Sequence, residues 1–229
     1  MVFLVLQCRR EDPLLPLSLL RDRNRSGSYA AVLFIGAGLI GTFYLLTLFL
    51  QQVLQFNPLH TGLASLPFSA GIILSAAASA KLAERLAPRA VAVPGLLLAA
   101  GGMYGLSLLS VDASYFGHVM PALFITSFGL GLSFVPMTLT AVHGVAEQRV
   151  GIASALVNMA QQIGAALGLA VLTTISVTAA NDRSNVAANV ALVHGYTTAF
   201  FAGAIILVIA AAVTGLAVTV PRQQTTGQA

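Results

Sequence analysis

The chain has 229 residues, 57% of them hydrophobic and only 8% charged, with a mean hydropathy of +0.88. A soluble domain carries roughly a quarter of its residues charged, so the composition argues against a soluble enzyme or binding module. The net charge of +4 comes from basic residues spread over separate polar stretches, which excludes a concentrated nucleic-acid patch, and with Cys8 as the sole cysteine no disulfide can close within the chain.

Residues 1–6 are apolar but too short to cross a bilayer, and they lack the basic leader and cleavage site of a signal peptide. They read as the last turns of an earlier helix, and residues 1–27 together as a cytoplasmic linker with a short amphipathic stretch at 14–20. Six apolar stretches follow, at about 29–54, 62–80, 90–110, 117–139, 151–177 and 196–220. A helix needs roughly 20 apolar residues to cross a hydrocarbon core of about 30 Å. The expected fold is therefore an all-α integral membrane unit of six transmembrane helices over 28–220, with 221–229 as a polar, disordered cytoplasmic tail.

Charge sets the orientation. If the N-terminus is cytoplasmic, the inner side receives Arg9, Arg10, Arg21, Arg23, Arg25, Lys81, Arg85, Arg89, Arg149 and Arg222, and the outer side only Arg183. The positive-inside rule selects this arrangement, with both termini in the cytoplasm and the chain a multi-pass protein of the plasma membrane.

In the first span, Tyr44 lies near the middle and Gln51 and Gln52 near the outer end. Tyr44 could stack on a flat organic cation or fill space between helices; Gln51 is a candidate for the wall of a substrate cavity. Asn57-Pro58 reads as a turn. The inner loop after the second span places Glu84 beside Arg85, with Lys81 before them and Arg89 four residues on. Such a cluster could latch neighbouring helix ends in one conformation, or its bases could simply be membrane anchors. In the fifth span, Ser154, Asn158, Gln161, Ala165 and Gly168 recur at intervals of four and three, on one helical face. Lipid would leave those amides unsatisfied. Asn158 and Gln161 are thus candidates for a cavity wall, while Gly164 and Gly168 are spaced for close helix packing, and both uses can hold at opposite ends of the stripe.

Other patterns carry less. Gly36-Ala37-Gly38-Leu39-Ile40-Gly41 matches the dinucleotide fingerprint by letter, but it lies inside an apolar span with no strand before it. Ser133 and His194 suggest an intramembrane protease only remotely, since the serine motif is incomplete and His194 sits at a span edge. His60, His118 and His143 are isolated in or beside loops and form no metal-ligand spacing. No metal and no cofactor are expected.

Residues 80–89 resemble the signature loop of the major facilitator superfamily. Ala80 and Ala87 stand in its two glycine positions, Glu84-Arg85 in its acid-base pair and Arg89 in its terminal basic position. The stretch from Phe43 through Asn57-Pro58 to Ala64, the run from Arg149 to Gly168, and Asp12-Pro13 to Leu17 are similar to corresponding parts of the second half of that superfamily's fourteen-helix drug:proton antiporters. The resemblance implies a C-terminal transporter half, built as a 3+3 helix repeat. It would export small organic compounds by proton antiport when paired with a missing N-terminal half, or less directly with a second copy of itself. The family's acidic coupling residues belong to the first half, and no span here carries an acid. A truncated membrane protein without transport activity, and an intramembrane enzyme, remain the alternatives.

Overall fold

The computed structural model describes residues 22–183 and 185–219. The apolar start, the amphipathic stretch at 14–20 and the tail at 221–229 lie outside the described residues. Among those described there are seven α-helices and no strand. They are α1 (Arg23–Gln52), α2 (Pro58–Ala64), α3 (Leu66–Ala83), α4 (Pro88–Ser107), α5 (Met120–Val142), α6 (Glu147–Asn181) and α7 (Ala188–Ala217), with a π-helical turn, Tyr115–Val119, leading into α5. These make six helical units long and apolar enough to cross a membrane, α2 and α3 forming one of them.

Local chemistry sets the ends. The helix α1 starts before the apolar stretch because the Asp22 carboxylate accepts the free backbone N–H groups of Asn24 and Arg25, at 2.9 and 3.3 Å, a standard N-cap. Asn57-Pro58 opens α2 rather than merely turning the chain. The Asn57 side chain accepts from the His60 N–H at 2.8 Å, and Pro58 sits in the first turn, where its missing N–H costs nothing. The second span is broken at Ser65 because Pro67, near the start of α3, has no N–H to carry the helical ladder across. His60 consequently lies in α2, His118 in the π-turn and His143 at the C-cap of α5.

Successive spans alternate in direction, and their packing is that of two interlocked three-span repeats. The first helix of each repeat packs on the middle span of the other, α1 with α6 and α5 with α3. It also packs on the other's last helix, α1 with α7 and α5 with α4; the last helices, α4 and α7, meet each other. Exchanging the repeats leaves this contact pattern unchanged. Because α1 and α5 run in opposite directions, the repeats are inverted relative to each other.

The seams depend on missing side chains. A methyl group on Gly164 would overlap the backbone of Leu33, one on Gly168 that of Ala37, and one on Gly36 that of Gln161, so α6 lies backbone to backbone along α1. Across α3 and α5 the notches are filled by hydroxyls, Ser127 against Gly71 and Ser75 against Gly131. Ser133 seats in the notch of Gly95 and donates to the Ala92 carbonyl at 2.9 Å, while Ser79 donates across to the Leu132 carbonyl at 3.0 Å. Cross-helix bonds of this kind contribute about 0.6 kcal/mol each in a bilayer, so close contact supplies most of the cohesion.

The seam makes a sharp contrast testable. Gly164→Leu should cost about 1 to 3 kcal/mol or more through overpacking and lower the thermal unfolding midpoint of the purified chain in detergent. Gly101→Ala, where nothing lies within 4 Å of the added carbon, should leave the midpoint unchanged. Equal behaviour of the two variants would refute backbone-level packing at Gly164.

Candidate functional site

Near the midpoints of four spans, α1, α3, α5 and α6 enclose an apolar pocket of about 190 Å³. Ile35 and Leu39 line it from α1, Ile72 from α3, and Leu130 and Phe134 from α5, while Gln161 of α6 contributes the one amide. The Gly36 notch brings the α6 backbone at Gln161 against α1, and that contact delivers the amide to the pocket edge. A site that covers a drug-sized ligand usually holds about 300 Å³ or more, so this pocket is too small to enclose one and is suited to be one wall of a larger site.

The polar stripe of α6 divides along its length. Ala165 and Gly168 are buried against the bundle, Gln161 is partly buried at the pocket, and Ser154 and Asn158 are exposed. Gly164 and Gly168 both meet α1. Asn158 thus stands about two turns N-terminal to the Gly164–Gly168 segment, and neither it nor Tyr44 lines the apolar pocket.

Toward the C-terminal end of α1, a second cleft of about 390 Å³ opens between α1 and the broken second span. Gln51 lines it, together with Phe43 and Thr47 of α1 and Thr61, Ser65 and Ser69 opposite. Phe43 faces this cleft while its neighbour Tyr44, 41% exposed, does not. Gln52 is engaged elsewhere, its carbonyl oxygen accepting from the Tyr196 hydroxyl at 2.7 Å and tying α1 to α7. The structure therefore brings Gln51 and Gln161 to two cavities on one side of α1, and leaves Asn158 and Tyr44 outside both.

Lys81, Glu84, Arg85 and Arg89 are all exposed. Among the described residues their side chains make no hydrogen bond or ion pair. The basic residues that do bind within this unit are others. Arg25 donates through Nη2 to the carbonyls of His143 and Gly144, at 3.2 and 3.1 Å, placing its charge at the C-terminus of α5. Arg23 donates to the Leu216 carbonyl of α7, and the Asn24 side chain accepts the Thr219 N–H at 2.6 Å. In the sequence Arg23 and Arg25 stand out only as basic residues on the expected cytoplasmic side. A half-clue existed, since three polar side chains in a row at the start of an apolar helix can reach neighbouring helix ends, but nothing in the sequence names the carbonyls they meet.

The weaker patterns resolve into packing. Gly36, Gly38 and Gly41 face Gln161, Leu207 and Leu172 in helix seams. Ser133 spends its hydroxyl proton on backbone carbonyls.

Six crossings in two inverted repeats around a mid-membrane pocket define a polytopic transporter-type unit. The Major Facilitator Superfamily model matches residues 7–169, and the chain belongs to that superfamily. It is 40% identical over 218 residues to a puromycin resistance protein of Streptomyces alboniger, covering 91% of this chain and 43% of that protein. It is 32% identical over 173 residues to the lincomycin resistance protein of Streptomyces lincolnensis, covering 76% of this chain and 36% of that protein. With the tetracenomycin C resistance and export protein of Streptomyces glaucescens it shares 29% identity over 182 residues, 79% of this chain and 33% of that one. The chain thus spans well under half the length of these curated relatives.

The Arg25 contact yields a stability prediction. A cation hydrogen-bonded at a helix C-terminus contributes up to about 2 kcal/mol when partly buried. Arg25→Met should therefore lower the unfolding midpoint of the detergent-solubilised chain by that order, and Arg25→Lys should recover part of it. A midpoint unmoved by Arg25→Met would show that the guanidinium contributes nothing there.

Proposed function

We propose that this chain is the C-terminal half of a plasma-membrane efflux transporter, with both termini cytoplasmic, which exports small organic compounds by proton antiport when joined to an N-terminal half. It is not an enzyme on this reading. The observation that carries the proposal is the unequal cover of the spans. Only 28% of the apolar window of α6, and of the α2–α3 span, is buried, against 44 to 56% for the other four. Apolar exposure alone would suit lipid. The exposed part of α6, however, carries Ser154, Asn158 and Gln162, and Asn158 lies six residues, or roughly 9 Å, from the helix midpoint. Amides at that depth require protein or a water-filled cavity.

A second six-helix body across α3 and α6 would meet this need. It would complete the 190 Å³ pocket into a full site and supply the protonatable acid that this chain lacks at membrane depth, Glu147 lying in the first turn of α6. The names of the relatives, resistance proteins for puromycin and lincomycin and a resistance and export protein for tetracenomycin C, support antibiotics as the substrate class. The free charges of Lys81, Glu84, Arg85 and Arg89 are then available to latch the other half on the cytoplasmic side.

Three experiments test the reading. Reporter fusions after residues 57, 113 and 185 should report the outer side, and fusions near 85 and 146 the inner side; the reverse pattern would overturn the orientation. In a drug-sensitive host, co-expression with an N-terminal half should confer efflux that a protonophore abolishes, and the chain alone should confer none. Transport by the chain alone would point to a second copy as the partner. In the complete assembly, Asn158→Leu should shift the resistance profile by roughly fivefold for compounds that hydrogen-bond the amide, about 1 kcal/mol per lost bond, with membrane insertion intact. An unchanged profile would leave Asn158 outside the substrate path.

A further inference from the structure

The two cavities lie along one line. On α1, Ile35 and Leu39 of the apolar pocket are followed at steps of four by Phe43, Thr47 and Gln51 of the outer cleft, and on the facing span Ser65 and Ser69 of the cleft are followed by Ile72 and Ala76 of the pocket. The α1–α3 side of the bundle is thus one groove, apolar at mid-membrane and polar toward the outside. Phe43 stands at the junction, its ring centroid 5.5 Å from that of Phe68.

Three of the four hydroxyls that line the outer cleft are oriented, that of Ser69 being the exception. Thr47 donates to the Phe43 carbonyl at 2.8 Å, Thr61 to Asn57 at 3.0 Å and Ser65 to Thr61 at 2.9 Å. Each proton is spent on the residue's own helix, so what each oxygen has left to offer is lone pairs. Thr61 and Ser65 are 4% and 9% exposed, so little but the cleft is open to them. No Lys or Arg lines the space, so an anion would meet no countercharge and only the Ser69 hydroxyl and the Gln51 amide N–H groups as donors. A ligand group rich in N–H donors meets the opposite situation, with three committed hydroxyl oxygens and the Gln51 amide oxygen to receive it and an aromatic face beside it.

We propose that the outer cleft is a subsite for the protonated amine of an amphiphilic compound whose apolar body occupies the mid-membrane pocket. This rests on the groove being the substrate path proposed above. From Leu39 to Thr47 is eight residues of helix, about 12 Å, which sets the spacing between apolar body and amine. The subsite acts on the outer side of the path, where it receives the polar end of a compound whose body is still held by Ile35, Leu39 and Phe134.

The test uses the full chain in lipid nanodiscs, with protein-free discs as the blank. The probes are three dansyl compounds that differ only at the end of a six-carbon arm: a primary amine, a methyl ether and a carboxylate. The wild-type chain should bind the amine about tenfold more tightly than the other two. Thr47→Val combined with Ser65→Ala should bring the amine down to the affinity of the ether and leave the ether unchanged, which also shows that the groove is intact. If that double variant does not fold, Thr47→Val alone should reduce the amine preference about threefold. Three probes of equal affinity on the wild type, or an amine preference that survives the substitutions, overturn the subsite and leave the transport groove standing. Absence of binding by all three, both to the chain alone and to the chain co-assembled with an N-terminal half, removes the groove as a substrate path, and the subsite with it.

Discussion

Helices in lipid gain nothing from hiding apolar surface from one another, because the tails are as apolar as leucine; what holds them is how closely their backbones can approach. In this chain that approach is set by Gly164 and Gly168 on α6 and Gly36 on α1, where no side chain separates the two helices. Much else follows from the contact. It fixes the rotation of α6, which turns Gln161 to the pocket edge and leaves Ser154 and Asn158 uncovered. The equivalent contact in the other repeat, α5 on α3, uses serine hydroxyls in glycine notches and forms the opposite wall of the same pocket. One packing device, applied twice in inverted repeats, places four spans around a common space.

Hydroxyls serve two distinct purposes here, and geometry separates them. Ser79 and Ser133 find carbonyls on a neighbouring helix and act as ties. Thr47, Thr61 and Ser65 find only the carbonyl one turn back on their own helix, because the cleft keeps any other backbone out of reach. A tied hydroxyl is consumed by the fold, whereas a back-bonded hydroxyl at a cavity wall still presents an acceptor. The difference between a seam and a binding surface thus lies in what stands opposite, not in residue type.

That distinction also explains which parts of the molecule could be read in the sequence. The six crossings were legible because hydropathy and the near-exclusion of charge need no tertiary information, and the repeat resemblance rode on short local patterns. The face of α6 was legible as a period, but which neighbour each part of the stripe meets was not: Ala165 and Gly168 are buried while Asn158, on the same face, is exposed. The choice of Phe43 over Tyr44 for the outer cleft turns on a rotation of about 100° per residue, too fine for span boundaries uncertain by a few residues. The break at Ser65 was hidden because Pro67 leaves the composition apolar. Arg25 was visible only as a charge, since its acceptors are backbone carbonyls 118 and 119 residues away.

The pinning of α1 at both ends bears on how such a half would move. At its N-terminal end Arg23, Asn24 and Arg25 hold it to the ends of α7 and α5, and at its C-terminal end the Gln52 side-chain oxygen holds it to Tyr196 of α7. The Tyr115 hydroxyl, donating to the Ala64 carbonyl at 2.7 Å, likewise joins the turn before α5 to the second span. Each repeat is therefore stitched to the other at the membrane surfaces as well as along the glycine seams, and α1 has little freedom to slide against its neighbours. The charges of Lys81, Glu84, Arg85 and Arg89, by contrast, hold nothing among the described residues. In a transporter that works by alternating access, an internally stitched half would move as one body against its partner. The unengaged charges on the α3–α4 loop, like those of Glu147 and Arg149 at the start of α6, would then be available to make and break contacts as it does so.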